Sequence, residues 1–410
     1  MSLAMRWVGE SEMDRVANVR LRCYANSDKE IARYRDGIRA DRRAQGDAYL
    51  LAEQDGMAVG TTASLSLQMW VRGARIACQG IAYVGTIKTH RRDRKGPGGG
   101  IASQLMNEAL RRARDEQVPA TALMPFRASF YEHFGYGTVE TRHNWTIPLS
   151  VLPTGAFDGM RFYEPADRAA IEACRQRYVE RGQCDIERPS HYWDFKLQRA
   201  EEGFVVVDRP ASHGAIHGYL WLQHPREQGP EQLQVMDSGY DDIAALRRQF
   251  HFLASLRDQY SSVLYPFPAD LQANWLLREA QIPHRPVTHA AAGVSVANRL
   301  QVRVLDHAKF IEPMHLPHTT KGQTIIAVRE TEGHISRFKL DVAGGRATVT
   351  ATDASAEFEC PDRIWAAVVC GELPASQAVS LGLASSSSAA SAELLYLFSN
   401  GPRPFCSDAF

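Results

Sequence analysis

One arrangement of predicted elements occurs twice in this chain, and it limits the fold more than any other feature. Two strands, a third strand, an amphipathic helix and a further strand run over residues 49–124, and the same order returns over 203–265, about 150 residues downstream. In the first copy, Tyr49–Glu53 and Ala58–Leu65 flank Asp55-Gly56, a dipeptide suited to a hairpin turn. Gly80–Thr86 then reads as a strand. Ile101, Leu105, Ala109, Ala113 and Ala102, Met106, Leu110 recur at helical spacing, and Ala120–Met124 closes the unit. In the second copy the matching segments are Gly203–Asp208, Ile216–Gln223, Gln232–Asp237, a helix over Ile243–Tyr260, and Ser262–Tyr265. Strands alternating with helices require an α/β layering. From Asn298 the texture changes to short alternating strands at Gln301–Leu305, Thr324–Val328 and Ala347–Thr352, with helices expected at Arg363–Val369 and Ala392–Phe398, which reads as α+β. Pro148 and Pro153 mark a break. The expected domains are 1–148, 149–293 and 294–410.

Charge excludes some partners. Forty-seven basic residues balance forty-seven acidic ones, so no global field favours nucleic acid or an anionic membrane. No apolar run approaches the roughly 20 residues of a membrane helix, and no signal core opens the chain, which leads us to expect a cytoplasmic protein. Seven scattered cysteines without Cys-x-x-Cys spacing suit a reducing compartment, and disulfides are not expected.

The two copies differ where the third strand meets the helix. The first has Arg91, Arg92, Arg94 and Lys95 followed by Gly98, Gly99 and Gly100, then the helix from Ile101 and Ala102. Glycines let backbone N–H groups approach an anion, a helix N-terminus adds positive partial charge, and the basic side chains neutralise the rest, so this loop suits a pyrophosphate. The second copy has only Ser238–Asp242 there, a scaffold without the cradle. The loop does not fit G-x-x-x-x-G-K-[ST] or G-x-G-x-x-G. His213 with His217, and His315 with His318, lack a zinc pattern, and we expect no metal. No G-x-S-x-G is present.

The loop and helix resemble the acetyl-CoA motif of the GNAT N-acetyltransferases, (Q/R)-x-x-G-x-(G/A), with Gly100-Ile101-Ala102 on its G-x-A part, or, in a second register, Lys95 to Gly100 on the whole. More narrowly, Gly80–Arg92 and Phe130-Tyr-Glu-His-Phe-Gly-Tyr-Gly137 resemble segments of the Eis (enhanced intracellular survival) acetyltransferases, as does the terminal phenylalanine. This resemblance implies tandem GNAT folds followed by a sterol-carrier-protein-like domain, acetyl-CoA as co-substrate, and a homo-oligomer, a hexamer in that family. It implies that backbone N–H groups of Val84, Gly85 and Thr86 hold the oxyanion, that Tyr131 is the general acid, and that the α-carboxylate of Phe410 is the general base. Tyr136, between two glycines, reads as packing at a turn.

The acceptor implied is a primary amine of aminoglycoside, polyamine or lysine type. Where the family often has Ser-Glu before the tyrosine segment, this chain has Phe126-Arg127, which replaces a negative group by a positive one. Asp28 and Asp408 are acidic candidates for binding the amine, together with Phe126 and Arg127 as neighbours of the acceptor. Two non-catalytic readings stand beside this one: a lipid- or acyl-CoA-binding protein, suggested by the third domain, and an acetyl-CoA sensor without turnover.

Overall fold

The computed structural model describes residues 3–24, 46–91, 99–198, 203–210, 214–224, 231–282 and 289–410. The first unit runs through β1 (Leu3–Val8), α1 (Met13–Tyr24), β2 (Tyr49–Gln54), β3 (Met57–Val71), β4 (Ala74–Thr86), α2 (Ile101–Asp115), β5 (Ala120–Leu123), α3 (Ala128–Glu132) and β6 (Gly137–Thr138). Asp55 and Gly56 both take positive φ (50° and 78°), the left-handed pair whose twist matches a hairpin. Arg72 and Gly73 do the same (49° and 69°), joining β3 to β4 in a longer hairpin than the sequence led us to expect. The helical face was legible: Ile101, Leu105, Met106, Ala109, Leu110 and Ala113 are buried. Residues 16–34 read as largely helical in the sequence; α1 covers Met13–Tyr24, and residues 25–34 lie outside the described residues.

The second unit contains β7 (Thr141–Pro148), β8 (Met160–Phe162), α4 (Arg168–Glu180), β9 (Asp185–Ile186), α5 (Ser190–Gln198), β10 (Gly203–Asp208), β11 (Gly218–Gln223), β12 (Gln232–Tyr240), α6 (Ile243–Ser255), β13 (Ser262–Pro268) and β14 (Gly293–Asn298). In both units an antiparallel run of three strands ends on a parallel pair bridged by a helix, β4 with β5 and β12 with β13. The repeat read from the sequence is thus a repeat of topology.

The units also exchange strands. The first sheet has the order β1-β2-β3-β4-β5-β15-β6, where β15 (Gln301–Val304) comes from beyond the second unit, and β9 pairs with β3 from the side. The second sheet has the order β14-β7-β13-β12-β11-β10-β8, where β7 directly follows β6 in the chain. The segments leaving β6 and β14 pass each other, with the Val139 N–H donating to Leu300 O (2.9 Å) and the Arg299 N–H to Glu140 O (3.3 Å). Residues 141–148 and 293–304 therefore pair across the boundaries expected at 148 and 293.

The third unit has α7 (His307–Ile311), β16 (Gly322–Arg329), β17 (Ile335–Ala343), β18 (Arg346–Ala351), β19 (Phe358–Pro361), α8 (Asp362–Val369), α9 (Ala375–Ser380), β20 (Ser385–Ser386) and α10 (Ala389–Leu395). Its sheet, β18-β17-β16-β19-β20, shares one buried core with the first unit, while the second unit keeps a core of its own around Leu246, Phe250 and Phe267. Gly137 shows how tightly the first and third units meet: a Cβ there would lie 1.8 Å from the Arg363 carbonyl oxygen. All seven cysteines are free and buried.

Candidate active site

The parallel pairing of β4 with β5 covers only Cys78–Ile81 against Ala120–Leu123. Beyond Ile81, β4 runs on to Thr86 while the chain leaves β5 through Met124 and Pro125 into α3, so the two strands part and open a cleft. A bulge drives β4 aside: Thr61 faces Gly85 and Ala63 faces Ala82, so Thr62 alone opposes Tyr83 and Val84. Tyr83 has φ 58°, a conformation that costs a β-strand aromatic energy, and the Arg20 guanidinium lies 3.3 Å over its ring. α1 closes one wall. Tyr24 Oη donates to Val84 O, and a Cβ on Gly85 would meet Cys23 Sγ at 2.9 Å and Tyr24 Oη at 3.1 Å. Glycine at 85 is therefore needed for the approach of α1, a partner the sequence did not disclose. Burial pushes the Cys23 thiol up to about 11, so it stays protonated at neutral pH.

The start of α2 lies near the same end of β4: a Cβ on Gly60 would meet both Ile101 Cγ2 (2.7 Å) and the Gly85 carbonyl oxygen (3.2 Å). Gly100 is the N-cap of α2, with no side-chain hydrogen bond to the first turn and no acidic residue in that turn. Gly99 takes φ 86°, and its carbonyl accepts from Gln104 Nε2 (3.0 Å). Ile101 is buried and Ala102 half-buried. Arg91 is exposed and donates through Nη2 to Cys23 O (3.3 Å). Arg92, Arg94, Lys95 and Gly98 lie outside the described residues, so the two motif registers stay open. Thr86 Oγ1, at the end of β4, is buried with no hydrogen-bond partner among the described residues. An uncapped helix start beside an orphaned hydroxyl suits an anionic ligand. The second unit reverses this: Asp242 accepts from Ala245 N (2.8 Å) and caps α6 with a carboxylate. That negative group occupies the place where the first unit offers free N–H groups, which explains why the copy has no cradle.

Tyr131 sits on α3, 5 % exposed, in the cluster of Ile81, Met106, Leu110, Leu123 and Tyr136 that lines the cleft, with Val84 against it. Its ring packs edge-on to Phe130 and Tyr136. Burial raises its phenol to about 12, and among the described residues no hydrogen bond contributes to that value. Burial also raises the Tyr24 phenol, with Cys23 and Tyr131 adding to it, which puts two neutral phenols beside each other in the cleft. Tyr136 is different: fully buried, its Oη accepts from Thr121 Oγ1 (2.7 Å), as expected for packing. Phe126 is 82 % exposed, and Arg127 is exposed with Nε on Ser129 Oγ (3.3 Å). Asp28 lies outside the described residues.

Chain ends generally fray. This one is pinned at successive residues. The Phe405 N–H donates to Gln183 O (2.9 Å), and its ring lies 4.4 Å from the Arg142 guanidinium, which donates to Cys406 O. Ser407 donates from N and Oγ to Asp185 (3.2 Å each). Asp408, expected to meet the amine, does something else. Its carboxylate is 1 % exposed and takes Arg188 Nε (3.0 Å) and Nη2 (2.8 Å) and Lys196 Nζ (2.7 Å), with Arg175 at 3.7 Å. Both oxygens are committed, so Asp408 anchors the tail to the second unit and is not free to hold a substrate. The half-buried Phe410 packs on the core shared by the first and third units. This six-membered charge cluster of Arg175, Arg188, Lys196, Asp185, Asp237 and Asp408 went unseen in the sequence, because its members come from four elements and the terminus.

Among the described residues, Glu330, Glu332 and Asp362 bring oxygens within 4.8 Å. His307 holds Glu330 (3.1 Å), Arg114 and Arg303 hold Glu332, and Asp362 accepts from Thr331 N (2.8 Å), so the group joins the first and third units.

Residues 4–139 match the family model described as an acetyltransferase (GNAT) domain. The chain carries a GNAT-type acetyltransferase domain. The N-acetyltransferase Eis of Mycobacterium tuberculosis (strain ATCC 25177 / H37Ra) is 24 % identical over 317 residues, 73 % of each chain. Among solved structures, a GCN5-related N-acetyltransferase from Anabaena variabilis superposes with TM-score 0.83 at 18 % identity over 100 % of both chains. Eis1 from Mycobacterium abscessus does so with TM-score 0.78 at 18 % identity, also over 100 % of both. The α/β architecture read from the sequence is therefore that of GNAT enzymes. GNAT acetyltransferases use acetyl-CoA as co-substrate.

Proposed function

We propose that the chain transfers acetyl from acetyl-CoA to a primary amine, with Tyr131 as general acid and the Phe410 α-carboxylate as general base. The observation that carries the reading is the buried, neutral phenol of Tyr131 in the cleft where bulged β4 parts from β5. The oxyanion donors of this reading are backbone N–H groups of the Val84–Thr86 segment, the stretch of β4 that runs past its pairing with β5, where an oxyanion gains most from fixed donors. Arg91 and the uncapped start of α2 at Gly99–Ala102, with Arg92, Arg94, Lys95 and Gly98 from the same loop, would hold the pyrophosphate.

The amine attacks the thioester carbonyl as a neutral nucleophile and must lose a proton, which passes to the Phe410 carboxylate directly or through water. The sulfur leaves with the bonding pair and takes a proton from Tyr131. A phenol near 12 is a weak acid, but a thiolate released into the same apolar cleft is made more basic by the same desolvation. Support for the base comes from the tail itself, because a terminus held by Gln183, Asp185, Arg188 and Lys196 keeps its last carboxylate in one place. Aminoglycoside, polyamine and lysine-type amines are the acceptor range of this reading. A sterol-carrier-protein-like third unit and a homohexamer belong to the same proposal.

Thiol release from acetyl-CoA by the untagged protein, across such amines, is the test. Turnover that Tyr131→Phe reduces through kcat, and that one residue added after Phe410 suppresses, is expected. Full activity of a C-terminally extended protein removes the base assignment.

A further inference from the structure

The carboxyl end of β5 carries a cation that forms no ion pair among the described residues. Arg299 lies where the two exchanged strands cross, immediately before Leu300 and β15, which pairs with β5 from Gln301 opposite Leu123. Its Nε points at Met124 Sδ (3.3 Å), the first residue after β5. Two residues on, Gln301 reaches the Ala128 carbonyl at the start of α3, the helix that carries Tyr131. Arg299 thus stands at the mouth of the cleft, on the side where the tail passes: Cys406 and Asp408 are among its electrostatic neighbours.

The nearby carboxylates do not balance the cations around them. Arg142 binds Glu140 Oε1 (2.9 Å), the buried Oε2 has no hydrogen-bond partner among the described residues, and this one carboxylate is shared between the Arg142 and Arg299 guanidinium groups, while Asp408 is bound by Arg188 and Lys196. Among the described residues Arg299 forms no ion pair, and a thioether is a poor substitute. Burial lowers its pKa and the like charge of Arg142 adds to that, which is the direction expected of a guanidinium short of anions. Arg127, on the loop between Met124 and α3, is exposed and likewise forms no ion pair among the described residues, and Phe126 beside it presents an open aromatic face. A partly buried cation left unpaired is unfavourable until an anion arrives, and a mouth with two such groups repels a polycation.

We propose that Arg299 receives an anionic group of the acceptor, so that the preferred substrate is a primary amine that also bears a carboxylate or a phosphate. This rests on the acetyl-transfer reading above and narrows its acceptor range. The guanidinium binds the anion in a charge-assisted, two-point contact. It takes no part in proton transfer.

Matched acceptors that differ by one carboxylate test this: lysine against cadaverine, and tyrosine against tyramine, with ethanolamine phosphate against ethanolamine as the phosphate arm. With the full-length untagged chain, kcat/KM should favour the anionic member of a pair by about tenfold or more, as one charge-assisted contact implies. Arg299→Gln should remove that preference through KM, and Arg299→Lys should keep part of it, since lysine retains charge without the fork. A wild-type enzyme that favours cadaverine and tyramine, or makes no distinction, overturns the proposal even where neither variant folds. So does an Arg299→Gln enzyme whose kcat falls equally for all acceptors with a displaced pH profile, because the guanidinium then serves the Phe410 carboxylate. Calorimetric binding of the same pairs separates the two levels of the argument. Preferential binding of lysine that Arg299→Gln abolishes, in a protein that releases no thiol, sinks the acetyl-transfer reading and leaves the anion site standing. Thiol release without anion preference does the reverse.

Discussion

Neutralising Asp408 should detach the tail, and the size of the effect follows from its surroundings. The buried cluster holds three cations, Arg175, Arg188 and Lys196, against three carboxylates, Asp185, Asp237 and Asp408. Asp408→Asn keeps the shape but leaves one uncompensated positive charge among groups that water scarcely reaches. Removing one partner of a buried pair costs about 3–5 kcal/mol. If the strain is met by global unfolding, a domain of this size should lose about 6 °C or more in Tm, at about 2–4 °C per kcal/mol. If it is met by release of residues 405–410, Tm moves less, carboxypeptidase removes Phe410 faster, and kcat falls while KM for acetyl-CoA holds. Differential scanning calorimetry and timed carboxypeptidase digestion distinguish these. An Asp408→Asn protein with the wild-type Tm, the wild-type digestion rate and the wild-type kcat would refute the reasoning. The pH dependence has a definite sign. Burial would raise the Asp408 carboxyl, but Arg188, Lys196 and Arg175 outweigh it and hold it well below the usual carboxylate range. Its contribution is therefore complete above about pH 3.9 and is lost only as pH falls through the depressed native value. The wild-type tail should stay docked in acid where other ion pairs have begun to fail.

Further outcomes follow from single groups. Tyr131→Phe should lower kcat by about 10²–10⁴-fold with little change in Tm, and with the phenol near 12 the wild-type rate should show no alkaline limb from Tyr131 below that pH. Tyr136→Phe should do the opposite, costing about 1–3 kcal/mol in denaturant melts by stranding the buried Thr121 hydroxyl, with kcat per folded molecule kept. Gly85→Ala should force Cys23 and Tyr24 off β4, with a loss of about 1–3 kcal/mol and a fall in kcat/KM, both read on one preparation. Gly137→Ala meets a backbone oxygen that cannot rotate away, so the first and third units should lose their shared transition in calorimetry.

Much of the first unit was legible because its signals are local. Asp55-Gly56 makes its hairpin, the four-residue spacing of Ile101, Leu105, Ala109 and Ala113 buries one face of α2, and Pro119 ends that region, each through contacts within a few residues. Similar reasoning recovered β10 to β13 and the absence of a cradle before α6, where Asp242 now explains what the missing glycines only suggested. Phe130–Gly137 was singled out by resemblance rather than by pattern, since an aromatic-rich segment alone points first to core packing.

Tertiary structure decided the rest, because it depends on which distant segments meet. The sequence by itself determined the duplicated α/β order and the basic glycine-rich loop on one copy, both properties of spacing along the chain, while Tyr131 as candidate acid came from resemblance alone. It could not determine that β7 and β15 change places between sheets, because both are short strands of mixed polar and apolar residues with no local signal for one sheet over the other, and only the crossing at Val139 and Leu300 selects the exchange. Nor could it assign Asp408, whose partners Arg188 and Lys196 lie some 200 residues away and which reads as one more surface acid until burial makes pairing compulsory. Arg299 is the converse case. A charge is unremarkable in a list of forty-seven, and only the fold leaves it at the cleft mouth, sharing the single carboxylate of Glu140 with Arg142.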